Sequence, residues 1–408
     1  MRTRFLVSIS LVLGVAATGC SSNGSGVIAN LAPPPQGTAT LGTTANASPG
    51  TYHAMRSVKW KEFGFIPSGG RFNPHEGILS PRNVHRLHKL WSYPTGCAGS
   101  ICGGSSAAVV NGVVYVGSYD GNVYALNAAT GVKLWSFLTG GKVFSSPAVI
   151  NGVVYVGSGD HHVYALKAAT GAKLWSYTAG FDVTSSPAVV NGVVYVGSDD
   201  GKVYALKAAT GAKLWSFPTR LVVESSPAVV KGVVYVASVD ANVYALNAAT
   251  GAKLWAYTAG NEMISSPAVA NGVVYVGAED SNVYALNAAT GAKLWTYTTG
   301  DLVNSSPAVS NGVVYVGSID DNVYALNAAT GTKLWSHTTG NIVFSSPAVA
   351  NRVVYIGSED HNVYALNAAT GAKLWSYTTG NQVFSSPVVA NGMVFVGSGD
   401  GNMYAFGL

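Results

Sequence analysis

The stretch Ser146-Pro147-Ala148-Val149-Ile150-Asn151-Gly152-Val153-Val154-Tyr155-Val156-Gly157-Ser158 decides the fold. Two short apolar runs flank Asn151-Gly152, a dipeptide that favours a two-residue hairpin because both of its residues tolerate positive φ. Gly159-Asp160-His161 turns the chain before Val163-Tyr164-Ala165-Leu166, and Ala169-Thr170-Gly171 turns it again before Lys173-Leu174-Trp175-Ser176-Tyr177. Runs rich in Val and Tyr, bounded by Gly, Asn, Asp and Thr, read as strands. The unit is therefore a four-stranded antiparallel meander.

Outward from this stretch the same unit recurs every forty residues. Ser-Ser pairs open it at Ser105, Ser145, Ser185, Ser225, Ser265, Ser305, Ser345 and Ser385. Meanders repeated at that period predict a β-propeller. The last unit stops at Tyr404-Ala405-Phe406, after its third strand, while an orphan fourth strand, Lys89-Leu90-Trp91-Ser92-Tyr93, precedes the first unit. The missing strand and the orphan match. This predicts an all-β, eight-bladed β-propeller of four-stranded antiparallel blades, closed by an N-terminal strand that completes the last blade and removes open sheet edges. The expected division is a signal over residues 1–20, a tether over 21–50, an entry segment over 51–88 and the propeller over 89–408.

Charged residues make up 10% of the chain, so there is little material for amphipathic helices. Arg2 and Arg4, the apolar run Phe5 to Ala17 and the small residues up to Cys20 read as a secretory signal, too short to span a bilayer. Without those two arginines the formal charge falls from +5 to +3, too mild to expect a nucleic-acid partner. The stretch after Cys20 is poor in charge and in large apolar groups, and is expected to be a flexible tether.

Ala17-Thr18-Gly19-Cys20 resembles a bacterial lipobox, which implies lipidation at Cys20; the other reading is an ordinary cleaved signal with Cys20 incidental. The implied location is exported and membrane-anchored. Ser21, in place of Asp, by analogy favours the periplasmic face of the outer membrane in a Gram-negative host, and the outer face of the cytoplasmic membrane applies otherwise. Cys97 and Cys102 lie close together in an exported chain and are expected to form a disulfide.

The pattern Ala125-Leu126-Asn127-Ala128-Ala129-Thr130-Gly131-Val132-Lys133-Leu134-Trp135 recurs along the chain. It resembles the tryptophan-docking motif of pyrroloquinoline quinone (PQQ) type propeller proteins, with Asn where Asp is usual. The resemblance implies a structural ring of Trp91, Trp135, Trp175, Trp215, Trp255, Trp295, Trp335 and Trp375, each indole stacked between blades. The lead-in from Arg71-Phe72-Asn73-Pro74 to Leu90-Trp91 also resembles the entry segment of bacterial PQQ-like repeat proteins.

A meander places the Asn-Gly and Ala-Thr-Gly turns on one face, here the bottom, and the Asp-containing turns and interblade links on the other. The bottom turns hardly vary; the top links do. Either function sits on the top face or its exposed columns drift. The candidate top-face binding residues are Phe144, Asp182, Arg220, Glu224, Glu262, Asp301, Asn304, Phe344 and Phe384. The Asp recurring from Asp120 to Asp400 is expected to accept N–H bonds in its own turn, with cation binding the other reading. The lysines from Lys89 to Lys373 are expected to protect the outer edge strand, with contact to anionic envelope polymers as the alternative.

The resemblance offers two function classes. One is a PQQ- and calcium-dependent dehydrogenase of alcohols or sugars, which needs a calcium site, an Asp base, an Arg and an aromatic floor. Such enzymes carry a disulfide of adjacent cysteines, whereas four residues separate Cys97 and Cys102, and no catalytic or metal-ligating set aligns in these uniform repeats. The preferred class is a non-catalytic, lipid-anchored scaffold similar to BamB-like exported lipoproteins, monomeric, without a cofactor, binding an envelope protein or polymer. A ligand- or carbohydrate-binding propeller is the third reading.

Overall fold

A computed structural model describes residues 59–96 and 104–408, all within the unit Arg56–Leu408. Cys20, Cys97 and Cys102, the expected signal and the tether lie outside the described residues. Eight antiparallel sheets form the blades. In blade 2 the strands, from the channel outward, are Ala148–Ile150, Val153–Gly157, His162–Lys167 and Lys173–Thr178. In the closing blade His88–Pro94 pairs with Asn402–Gly407, with Trp91 opposite Ala405. The orphan strand is thus the outermost strand of blade 8, as its sequence predicts.

The innermost strands are shorter than the apolar runs imply, because Ser-Pro stays outside the ladder; proline has no N–H to give it. The serines serve another purpose. Ser146 donates its backbone N–H to Ser186 Oγ at 2.9 Å, and the same step joins every neighbouring pair of blades around the channel.

Between blades, Trp135 Nε1 donates to Ala168 O at 2.8 Å, and Tyr115 Oη donates to the same carbonyl at 3.2 Å. The indole lies on Gly171, whose φ is +73°; a Cβ there would stand 2.6 Å from the ring. The docking turn needs glycine for both reasons. Trp375 departs from the pattern and donates to Leu87 O, since the outermost strand of blade 8 comes from the entry segment.

Asp160 does more than close its own turn. One oxygen accepts the His162 N–H at 3.2 Å; the other accepts Tyr164 Oη and the N–H of Gly140 in the preceding link, both at 2.6 Å. Burial opposes its charge, but these donors outweigh burial and hold the carboxyl below its ordinary range. The recurring Asp is an interblade clamp.

The entry segment fills the channel. The innermost strands would otherwise present unpaired N–H groups along the axis, at a cost for each. Residues 60–73 meet them blade by blade. Val109 pairs with Trp60, Val149 donates to Lys61 O, Val189 to Glu62 Oε2, Val229 to Pro67 O, Val269 to Ser68 O, Val309 to Gly70 O and Val349 to Arg71 O. Asn73 Nδ2 completes the circuit by donating to Val389 O at 2.7 Å. The buried Arg71 guanidinium donates to the carbonyls of Phe63, Pro347 and Pro387, at 2.5, 2.9 and 3.0 Å, and lies 4.5 Å from the Phe63 ring centre. The segment then leaves along the bottom, where Glu76 accepts the Gly392 N–H and Asn351 Nδ2 donates to Leu79 O.

Candidate binding mouth at the top of the channel

Each interblade link ends in the residue before Ser-Ser, so these residues ring the channel mouth above the serine belt. They are Gly104, Phe144, Thr184, Glu224, Ile264, Asn304, Phe344 and Phe384. A second set stands in the top turn of each blade just before the clamping Asp, and its backbone N–H bonds the incoming link: Asp199 N to Asp182 O and Glu279 N to Glu262 O, both at 2.9 Å. The links have no ladder to impose alternation, which leaves their side chains free to differ.

The two sets divide the mouth. Around blades 7, 8, 1 and 2 it is mainly aromatic, Glu359 being the carboxylate of the second set there, bonded by Gln382 at 3.2 Å: the Phe344 and Phe384 rings lie 6.1 Å apart, and Tyr119 packs on Phe144 at 4.5 Å with Lys142 Nζ 5.6 Å from the Tyr119 centre. Gly104 leaves room for Tyr119, whose Oη would stand 2.7 Å from a Cβ. Around blades 3 to 6 the mouth is acidic. Thr184 Oγ1 donates to Asp199 at 2.8 Å, and Asn304 Nδ2 donates to Glu279 at 3.2 Å. Glu224 stands between Asp199 on one side and Glu262 and Glu279 on the other.

Crowded carboxylates in a concave mouth resist ionisation. Burial first, then repulsion from Asp199, Glu279 and Glu262, raises the Glu224 carboxyl to about 7. Its accessible surface is large, but the surrounding mouth displaces bulk water from the carboxyl, so exposure and dielectric surroundings differ here. Burial raises Asp199 to about 6 against its bond from Thr184, with Asp182 and Asp200 adding repulsion. Burial also raises Glu279, with Asn304 opposing and Glu262 reinforcing. Asp182 is raised by burial although His161 Nδ1 lies 2.9 Å away.

Below this acidic arc lies a recess between the channel segment and blades 3 to 5. Phe63, Ile66 and Pro67 line one side, and Ser186-Pro187, Ser226-Pro227 and Ser266-Pro267 the other. Ile66 is 48% exposed in it, an open apolar floor beneath a charged rim.

Of the candidates read from the sequence, Glu224, Glu262, Asn304 and Asp182 come together in the acidic arc, and Phe144, Phe344 and Phe384 in the aromatic one. Asp301 lies in the link between blades 5 and 6, where its Oδ1 accepts the Leu302 N–H at 2.9 Å. Arg220 is not brought to the mouth: it opens its link beside Tyr244, and its backbone N–H donates to Asp240. Sequence reasoning sees Asp199 and Glu279 as variants beside the recurring Asp without placing them in the site, and misses Tyr119, which stands in the same variable position before its Asp. It also left out the channel segment. There the signal was Glu62 and Arg71, charged groups in an apolar, glycine-containing stretch outside the repeats.

Among the described residues no three His, Cys, Asp or Glu side chains converge to hold a metal ion. Calcium takes six or more oxygens; the mouth carboxylates are distributed over successive blades, and the axis is filled by residues 60–73. This donor set does not fit a calcium–quinone pair.

A family model described as outer membrane protein assembly factor BamB matches residues 88–220, 163–266, 199–341 and 320–407. The quinoprotein ethanol dehydrogenase of Pseudomonas putida is 32% identical over 103 residues, which is 24% of this chain and only 16% of that enzyme. Among solved structures, BamB from Moraxella catarrhalis superposes with a TM-score of 0.69 at 19% identity, covering 79% of this chain and 100% of that one. A europium-containing methanol dehydrogenase superposes with a TM-score of 0.76 at 16% identity, covering 86% and 98%. At these identities the superpositions speak to the fold alone.

Proposed function

Because this chain belongs to the family described as outer membrane protein assembly factor BamB, a family of PQQ-like repeat propellers, we propose that it is a non-catalytic binding scaffold of the cell envelope, held at a membrane through lipidated Cys20. Its channel mouth takes a segment of an envelope protein that carries basic and apolar side chains. The observation that carries this reading is the pairing of a self-filled axis with a two-part mouth. Residues 60–73 occupy the channel, so binding falls to the rim and the recess beneath it.

The rim suits such a segment. Basic side chains reach Asp199, Glu224, Glu262 and Glu279, which have no cation among them in the described residues, and apolar side chains reach Ile66 in the recess or Phe344 and Phe384 across the mouth. Pairing a cation with carboxylates held above their usual range relieves their mutual repulsion, which is where the affinity arises.

The test is capture of partners from envelope extract by the chain and by Glu224→Lys with Glu262→Lys. Loss of the captured proteins in the double variant supports the reading, and undiminished capture defeats it. Saturable uptake of PQQ with Ca2+, accompanied by dye-linked alcohol oxidation, would replace it with a dehydrogenase.

A further inference from the structure

We propose that the face opposite the mouth is a docking surface for anionic phospholipid headgroups. The turn between third and fourth strands opens onto that face in every complete blade, and a lysine begins the fourth strand each time, from Lys133 to Lys373; Lys89 takes the same place in blade 8. The ring arrangement of the blades sets these ammonium groups in a circle, and all of them are exposed. Beside each stands a leucine. From Leu90 at 41% to Leu174 at 53% they are exposed too, Leu374 excepted.

Further cations lie on this face away from the edge strands. Lys167 and Lys207 end third strands, Lys231 and Arg352 stand in the hairpin turns, and Arg82 and Arg86 belong to the entry segment that crosses the bottom. Acidic groups are on the other side. Among the described residues every Asp and Glu lies in a top turn or link except Glu62 and Glu76, both buried. Glu76 is consumed by the N–H groups of Ile78, Leu79 and Gly392. Among the described residues of the top turns and links, Lys142, Lys202 and Arg220 are the only cations against all the remaining carboxylates, with Lys59 and Lys61 in the channel segment besides. The propeller is electrically two-faced.

Protection of the edge strands does not account for this. Edge lysines alone leave the rest of this face unexplained, because the hairpin-turn and third-strand cations protect no outer edge. A circle of fourth-strand lysines, all but Lys373 beside an exposed leucine, matches a plane of anionic headgroups with the acyl boundary just beneath. The mouth then points away from the bilayer. This inference concerns the other face and does not rest on the function proposed for the mouth.

The test is co-sedimentation of the full chain with vesicles of phosphatidylcholine alone and with three-tenths phosphatidylglycerol, against Lys173→Gln, Lys213→Gln, Lys253→Gln and Lys293→Gln combined. The N-terminal residues are common to both proteins, so the difference reads the face. Each headgroup-contacting lysine strengthens partitioning by roughly fivefold, and the quadruple variant is expected to lose about 600-fold on anionic vesicles and nothing on neutral ones, with half-molar salt erasing the difference. A second variant, Leu174→Ser with Leu214→Ser and Leu254→Ser, is expected to weaken the same binding at unchanged charge. Equal partitioning of wild type and quadruple variant overturns the proposal. So does sedimentation without vesicles showing concentration-dependent assemblies that the quadruple variant disperses, since the basic face would then seat on the acidic face of a second copy.

Discussion

The backbone N–H of Ser386 donates to Ser106 Oγ at 3.0 Å across 280 residues of chain. The bond has the same form as the seven that join neighbouring blades, such as Ser226 to Ser266 at 2.8 Å. The two ends of the repeat array therefore meet as one more ordinary interface. At the outer rim of that interface Trp91 docks on Gly131 and donates to Ala128 O at 2.9 Å, as every other indole of the fourth strands but Trp375 does in its turn.

Docking of this kind makes a paired test of glycine. Gly211 has φ +73° and would carry a Cβ 2.6 Å from Trp175, whereas Gly152 has φ +78° with open space around it. Gly152→Ala is expected to cost about 1 kcal/mol for its backbone alone. Gly211→Ala adds displacement of an indole and is expected to cost about 3 kcal/mol, close to Trp175→Ala. Urea denaturation of the three variants gives the comparison; equal losses for the two glycines would mean the indole does not rest there.

The blades were legible in the sequence because each is specified locally: a hairpin pair such as Asn151-Gly152 and the short apolar runs on either side of it define a strand pair without reference to anything distant. The closing strand was legible for a similar reason, since Lys89 to Tyr93 repeats the fourth-strand pattern. Residues 60–73 carry no such periodicity. Their conformation is set by eight separate strands that meet only once the ring has closed, so Glu62 and Arg71 gain their surroundings from tertiary structure alone. The mouth stood between these cases: its columns were visible as variation, but the grouping of Glu224 with Asp199 and Glu279 depends on the order of blades around the axis.

Glu62 is predicted to weaken the fold as pH rises. Burial, which outweighs the bond from Val189 and the nearby charge of Lys61, raises its carboxyl from 4.5 to about 8. A carboxyl raised on folding favours the folded state when protonated. Its contribution is complete below the unfolded value and is lost as pH climbs to about 8, with a total on the order of 5 kcal/mol. Glu62→Gln keeps an acceptor near Val189 and is expected to flatten the decline between pH 5 and pH 8. Thermal unfolding of both proteins across that range is the measurement, and parallel pH profiles would refute the assignment.

The interblade clamps set the opposite limb. Asp240 is half-buried, which opposes its charge, but the N–H of Arg220, the Tyr244 hydroxyl and the Asn242 amide together hold its carboxyl below the ordinary range. A depressed carboxyl stabilises the fold above its unfolded value and loses that contribution as pH falls through the folded one. Asp240→Asn is expected to cost about 1–2 kcal/mol at pH 7 and progressively less below pH 4, because wild type then loses the same charge. A constant difference down to pH 2 would show the clamp to be indifferent to ionisation.

Glu224 makes the mouth itself pH-dependent. With its carboxyl raised to about 7 by burial and by Asp199, Glu279 and Glu262, the acidic arc gains a further negative charge between pH 6 and pH 8. Binding of a basic partner segment should tighten over that interval, since the charged form is the one a cation stabilises, and reciprocally a bound cation should draw the carboxyl down. Glu224→Gln removes the titrating group and is expected to weaken binding several-fold at pH 8 while changing it little at pH 6. Titration calorimetry with the captured partner at both values resolves the point. If the variant is equally impaired at pH 6 and pH 8, Glu224 contributes shape or hydrogen bonding at the mouth and its charge is not what the partner reads.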